Sequence, residues 1–236
     1  PSDAGVRKEL GYEKDARGSW ISRFERELRK EMRDGLDKAP TGDPVDGASD
    51  ISRALQVPTQ KRRTALFRAE SSYLQQEQLG TLLQHAEHTY ALFHKLFART
   101  DLFGGRQMTF VPLDDRKLHE RYVNMFYRGT PAEMQLALKS SGCGGFPQQE
   151  FCPVNGSDPL LYDWVIHDTA KSQLRLWVGG SHCWLFEGMS LYFTRLMKGT
   201  AMLTCTDLAS TSPQDKGKVY TEPADWPVII RVWVRE

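Results

Sequence analysis

The chain has 236 residues, 40% hydrophobic and 11% aromatic, enough to bury one sizeable core or a core with an arm. Its 31 Lys and Arg nearly balance its 30 Asp and Glu, and a net charge of +1 gives no basic excess of the kind that marks nucleic-acid binding. No apolar run approaches the about 18 residues that span a bilayer as a helix, and no signal-peptide pattern is present.

Residues 1–17 are polar and aperiodic, and are expected to form a flexible end. From Ser19 the pattern changes. Trp20, Ile21, Phe24, Leu28 and Met32 recur at three- and four-residue steps among charged residues, which predicts an amphipathic helix ending near Gly35. Its polar face is mixed in sign, which favours docking on a protein surface over lying on a membrane. Residues 39–49 carry Pro40, Gly42, Pro44 and Gly47 and read as a linker. The expected organisation is therefore an arm over 1–50 and a domain over 51–236.

The domain is expected to open with a strand over Thr64 to Ala69, entered from a basic turn at Lys61, Arg62 and Arg63. A long helix follows from about Gln75 to Phe97, with Leu79, Leu82, Leu83, Ala86, Tyr90, Phe93 and Phe97 on its apolar side. His85 and His88 lie three apart on this helix. That spacing can serve a metal, but on a polar helix face it reads as two solvated imidazoles. Met108 to Val111 is a second strand. Asp114 and Asp115 cap a helix through Tyr127 that turns Leu118, Tyr122, Met125 and Phe126 inward. Pro131 starts another helix at its favoured first position. Gly142, Gly144 and Gly145 form a bend with no phosphate-loop Lys after it. Gln149 to Val154 reads as an edge strand and Asn155-Gly156 as a turn.

Asp158-Pro159 opens a helix to about Trp177, apolar on much of its circumference and so expected to be buried. A second helix runs from about Trp184 to Met197. The end of the chain, Val228 to Val234, reads as a strand. The opening without Met and the ending on a strand are expected of a piece of a longer protein. Cys143, Cys152, Cys183 and Cys205 show no C-x-x-C spacing, which argues against a zinc ribbon. Cys143 and Cys152 flank one short segment and are the nearest candidates for a bridge; two bridges and four thiols both remain open.

The two central helices carry the chemistry. The first holds His167-Asp168-x-x-Lys171 and the second Trp184-Leu185-Phe186-Glu187-Gly188. Residues i and i+4 share a helix face, so H-E-x-x-H presents two imidazoles to one zinc, with its Glu as general base. The pattern here resembles the peptidase-MA-like branch of the gluzincin metallopeptidases, in which H-E-x-x-H is followed by W-L-x-E-G. The resemblance covers residues 62–200. It implies an α+β fold: a small mixed sheet, then a mainly helical active-site-like subdomain, with the N-terminal helical arm ahead of it. It places His167 and Glu187 at zinc-ligand positions and Asp168 at the general-base position, one methylene shorter than Glu. Lys171 stands where the second His belongs. An ammonium has three donors and no lone pair, so it cannot ligate zinc.

The expectation is that Lys171 replaces the metal as a resident cation paired with Glu187. The domain is then a non-catalytic, pseudo-metallopeptidase module with no cofactor, binding other domains of the same longer chain or a protein partner. Two alternatives stay open. One is an active zinc peptidase with an altered site, to which His182 could add an imidazole. The other is an unrelated globular interaction domain. The resemblance also implies an exported bacterial, extracytoplasmic protein.

Overall fold

The structure is a computed structural model that describes residues 4–15, 18–97, 105–139, 160–178 and 183–198. The chain falls into two compact units, Pro1–Lys38 and Ala39–Glu236.

The first unit contains α1 (Ala4–Glu9), β1 (Tyr12–Lys14), β2 (Trp20–Ser22) and α2 (Arg23–Leu36). The expected featureless end is thus a helix and a strand. β1 and β2 form an antiparallel hairpin with Glu13 opposite Ile21. Trp20 and Ile21, expected in the helix, lie in β2 instead. The reason is Ser22, whose hydroxyl accepts the Glu25 N–H at 3.0 Å and starts the helix there. Arg7 and Lys14 lie 5.6 and 5.5 Å from the centre of the Trp20 ring. On α2 the buried residues are Leu28 and Met32, while Phe24 is 63% exposed.

The second unit is α+β. Its elements are β3 (Asp43–Pro44), α3 (Asp50–Leu55), β4 (Gln60–Arg63), β5 (Phe67–Ser71), α4 (Gln76–Phe97), β6 (Met108–Phe110), α5 (Arg116–Phe126), α6 (Pro131–Lys139), α7 (Leu161–Val178) and α8 (Cys183–Lys198). The sheet order is β3-β4-β5-β6. The first two pairings are antiparallel and β5–β6 is parallel, so the sheet is mixed. A parallel pair needs a long crossover, and α4 supplies it.

The basic turn expected at Lys61–Arg63 is a strand, and the turn comes one step later. Thr64 makes it, donating its N–H to Phe67 O at 2.8 Å and accepting the Phe67 N–H on its hydroxyl at 2.9 Å. The cations of β4 tie down the segment read as a linker. Arg62 donates to Thr41 O at 3.1 Å and to Gly42 O, and Lys61 donates to Gly47 O. Gly42 sits at φ +73°, and a Cβ there would stand 2.5 Å from Arg63 O. That close approach lets β3 pair with β4.

α4 packs on β4 and β5 on one flank and on α7 on the other. Leu79, Leu82, Leu83 and Ala86 join Phe67, Ala69 and Phe110 of the sheet and Leu161 and Val165 of α7 in one core. Being covered on two flanks explains a correction: His85 and His88, expected in solvent, are 5% and 7% exposed. α3, α5 and α6 enclose a second cluster, including Ile51, Leu55, Leu113, Tyr122 and Val123. Asp115 caps α5, accepting the Lys117 N–H at 2.7 Å. Met125, expected inside, is 44% exposed, because it lies off the stripe formed by His119, Tyr122, Val123 and Phe126.

α7 is the central helix, packed between α4 and α8. His85, midway along α4, meets Tyr162 at the start of α7, and Phe97 meets Trp177 near the ends of both, so these helices run in the same direction. Glu187 meets His167 while Lys198 approaches Asp163, so α8 runs against α7. Phe93 closes the bundle, stacked on Phe193 at 5.8 Å and edge-on to Trp177 at 6.0 Å. The bend at Gly142–Gly145, the strand over 149–154, the Asp158-Pro159 helix start, His182, the strand over 228–234 and the side chains of all four cysteines lie outside the described residues.

Candidate functional site: the polar face between α7 and α8

Asp163, His167 and Lys171 follow one another at four-residue steps, so α7 presents them along one face. On α8, Glu187 and Lys198 stand near opposite ends. Antiparallel packing sets Glu187 opposite His167 and Lys171, and Lys198 opposite Asp163.

The four residues singled out by sequence come together. His167 Nε2 is 2.9 Å from Glu187 Oε2, and Lys171 Nζ pairs with Glu187 Oε1. His167 Nδ1 is 3.2 Å from Asp168 Oδ1. His167 is 1% exposed and Glu187 8%, while Lys171 and Asp168 reach toward solvent with side chains 18% and 21% exposed. Both ring nitrogens of His167 therefore face carboxylate oxygens. A carboxylate accepts, so the ring N–H of His167 donates to whichever of the two it faces. The edge of the Trp164 ring completes the apolar wall, 6.0 Å from the imidazole.

The rest of the α8 face asks little of α7. Ser190 and Thr194 are fully buried, yet their hydroxyls donate back along their own helix, to Phe186 O at 2.6 Å and Ser190 O at 2.9 Å. Sequence reasoning missed Asp163 and Lys198, whose charged atoms approach to 4.0 Å. The available signal was spacing: Asp163 stands one turn before His167, as Lys171 stands one turn after it.

Among the described residues, those at the site do not fit a zinc ion as they stand. Zinc requires deprotonated ligands with lone pairs. Lys171 has none, and His167 Nε2 and Glu187 Oε2 are bonded to each other. Two ligands of a tetrahedral zinc stand roughly 3.3 Å apart with the ion between them, wider than this 2.9 Å contact. Among the described residues no group of three or more His, Cys, Asp or Glu is placed to hold a metal, and no helix is long and apolar enough to cross a membrane. Compared with family models, curated proteins and solved structures, the chain matches none of them.

Proposed function

We propose that the domain is a non-catalytic module of gluzincin-like design, with a binding or structural role, in which the Lys171 ammonium takes the part of the metal. The observation that carries this reading is the pairing of Lys171 with one oxygen of Glu187 while His167 holds the other. A zinc peptidase needs three ligands, an activated water and a free base. Here both oxygens of the carboxylate at the third-ligand position are engaged, one by His167 and one by the Lys171 ammonium. Asp168, at the general-base position, faces His167 Nδ1 instead of a water's proton. A cation replacing a cation keeps the buried carboxylate compensated, which accounts for retaining His167 and Glu187 without metal chemistry.

The test is metal content. Purified protein dialysed against zinc and then against buffer is expected to carry no stoichiometric zinc and to cleave no peptide. Stoichiometric zinc that disappears in His167→Ala would overturn the reading. Lys171→His supplies the complement. It places two imidazoles at i and i+4 opposite Glu187, and is expected to bind zinc with a rise in melting temperature. A folded Lys171→His protein that ignores zinc would refute the gluzincin-like framework while leaving the absence of catalysis untouched.

A further inference from the structure

A second polar cluster lies where α4, α7 and α8 meet, nearer the start of α7. His85 is 5% exposed, and its Nδ1 is buried with no hydrogen-bond partner. Its ring lies against Tyr162, with centroids 5.1 Å apart. Lys198 Nζ sits 5.7 Å from the centre of the same Tyr162 ring and 4.0 Å from Asp163 Oδ1. Asp163 is 3% exposed. The titratable groups at His85 thus come from three helices: His88 on its own, Tyr162 on α7 and Lys198 on α8, with Asp163 of α7 facing Lys198. Glu87, also on α4, turns instead to the Thr64 hydroxyl and the Leu66 backbone. The sheet flank of α4 is apolar, with Leu79, Leu82 and Leu83 in one core with Phe67 and Ala69.

We infer that His85, Tyr162, Asp163 and Lys198 form an acid-sensitive clasp, in which proton uptake by His85 releases the last turn of α8 from α4 and α7. A neutral imidazole packs, tilted, against the Tyr162 ring without a net charge. An imidazolium would carry an N–H at Nδ1 with no acceptor, in a buried place already facing the Lys198 cation. Asp163, the carboxylate that faces Lys198, would have to leave Lys198 to pair with His85. Either way, the Lys198 contact that holds α8 is lost. Burial, Lys198 and His88, in that order, hold His85 neutral down to about pH 4. The device therefore works below neutrality, and Asp163 stands one helical turn from His167, on the face that carries the Lys171–Glu187 pair.

The experiment compares the whole chain with His85→Phe, which keeps a flat ring on Tyr162 but cannot take up a proton. Unfolding equilibria are measured in urea at pH 7 and 4.5. Taking His85 from its ordinary 6.5 to about 4 on folding, the acid-induced rise in the unfolding constant should be about 50-fold larger in wild type than in His85→Phe. Hydrogen exchange, with labelling times scaled to the intrinsic rate, should show α8's last turn opening before global unfolding at pH 4.5 in wild type alone. Lys198→Gln lies on a partly exposed side chain and tests the same device if His85→Phe does not fold. Removing a cation that opposes protonation should shrink the acid loss below that of wild type. Equal acid loss in wild type and in the folded variants, or exchange in which α8's end opens only with the whole unit, would overturn the inference.

Discussion

Replacing Lys171 with Met tests the central pair most directly, because the side chains are similar in length and differ in charge. The change leaves the Glu187 carboxylate, 8% exposed, without its ammonium. Removing one partner of a fully buried pair costs about 3–5 kcal/mol, mostly for the charge left behind. Two features here reduce that figure: His167 still bonds Glu187 Oε2 at 2.9 Å, and the Lys171 side chain is 18% exposed, so some of its charge was already solvated. The expected loss is about 2–3 kcal/mol, or roughly 5–10 °C in melting temperature for a chain of this size. The assay is urea denaturation of four proteins: wild type, Lys171→Met, Glu187→Gln and the double variant. With Gln at 187 no buried anion remains to be orphaned, and the Gln oxygen can still accept from His167. Adding Lys171→Met in that background should then cost about 1 kcal/mol or less, a coupling of at least about 1 kcal/mol between the two positions. A Lys171→Met loss below about 0.5 kcal/mol, or an equal loss in both backgrounds, would refute the idea that Lys171 compensates a buried anion.

Three further outcomes follow from other parts of the fold. Glu70 is fully buried and accepts from Ser49, Thr59 and Arg68; Glu70→Ala removes all three bonds, and because Arg68 is one-third exposed and Ser49 keeps Ser52 as a partner, it should cost about 2–3 kcal/mol in equilibrium unfolding. Phe93→Ala empties the junction with Phe97, Trp177 and Phe193 and should cost about 3–5 kcal/mol, with a change in Trp177 fluorescence as a second readout. Glu87 is raised above its ordinary value by burial, against bonds from Thr64 and Leu66. The folded state thus holds the Glu87 proton more tightly than the unfolded one. Its contribution to stability is fully present below the unfolded value near 4.5 and is lost as pH rises through the folded value. Glu87→Gln should remove this component, leaving stability at pH 7 unchanged or slightly higher, as urea titrations across pH 4–8 would show.

The readable parts of this chain were those where one local signal had no competitor. α4 and α8 follow from unbroken helical periodicity, and α5 from the Asp115 cap, because each is decided by neighbours in sequence. Where a side chain works at long range, sequence misled. Lys61 and Arg62 look like a solvated turn, but their length lets them reach backbone carbonyls of 41–47 and so occupy a strand. His85 and His88 look like a polar face only if α4 has one free flank, and α7 covers it from a distance in sequence that no window spans. At the site, the i,i+4 relation of His167 and Lys171 was legible. The pairing of Lys171 with Glu187 could be argued from charge compensation before any coordinate. Asp163 and Lys198 were not, since nothing local links residues 163 and 198.

Those two residues alter how the site is understood. Taken alone, Lys171, His167 and Glu187 are a buried cluster that needs only to compensate its carboxylate. Taken with Asp163 and Lys198, they are half of a pattern. α7 carries a negative, a convertible and a positive group at successive turns, and α8 running the other way offers a positive group to the first and a negative one to the last. Sliding α8 by one turn, about 5.4 Å, would part both ion pairs at once and leave charges in a largely apolar seam. Apolar contacts, such as Leu191 against Leu160 and Trp164, carry no charge to be left unpaired by such a slip. Buried charges that contribute little net stability can still penalise the wrong register. Holding α7 and α8 in register is therefore a structural task that His167, Glu187 and Lys171 can perform whatever else the domain does.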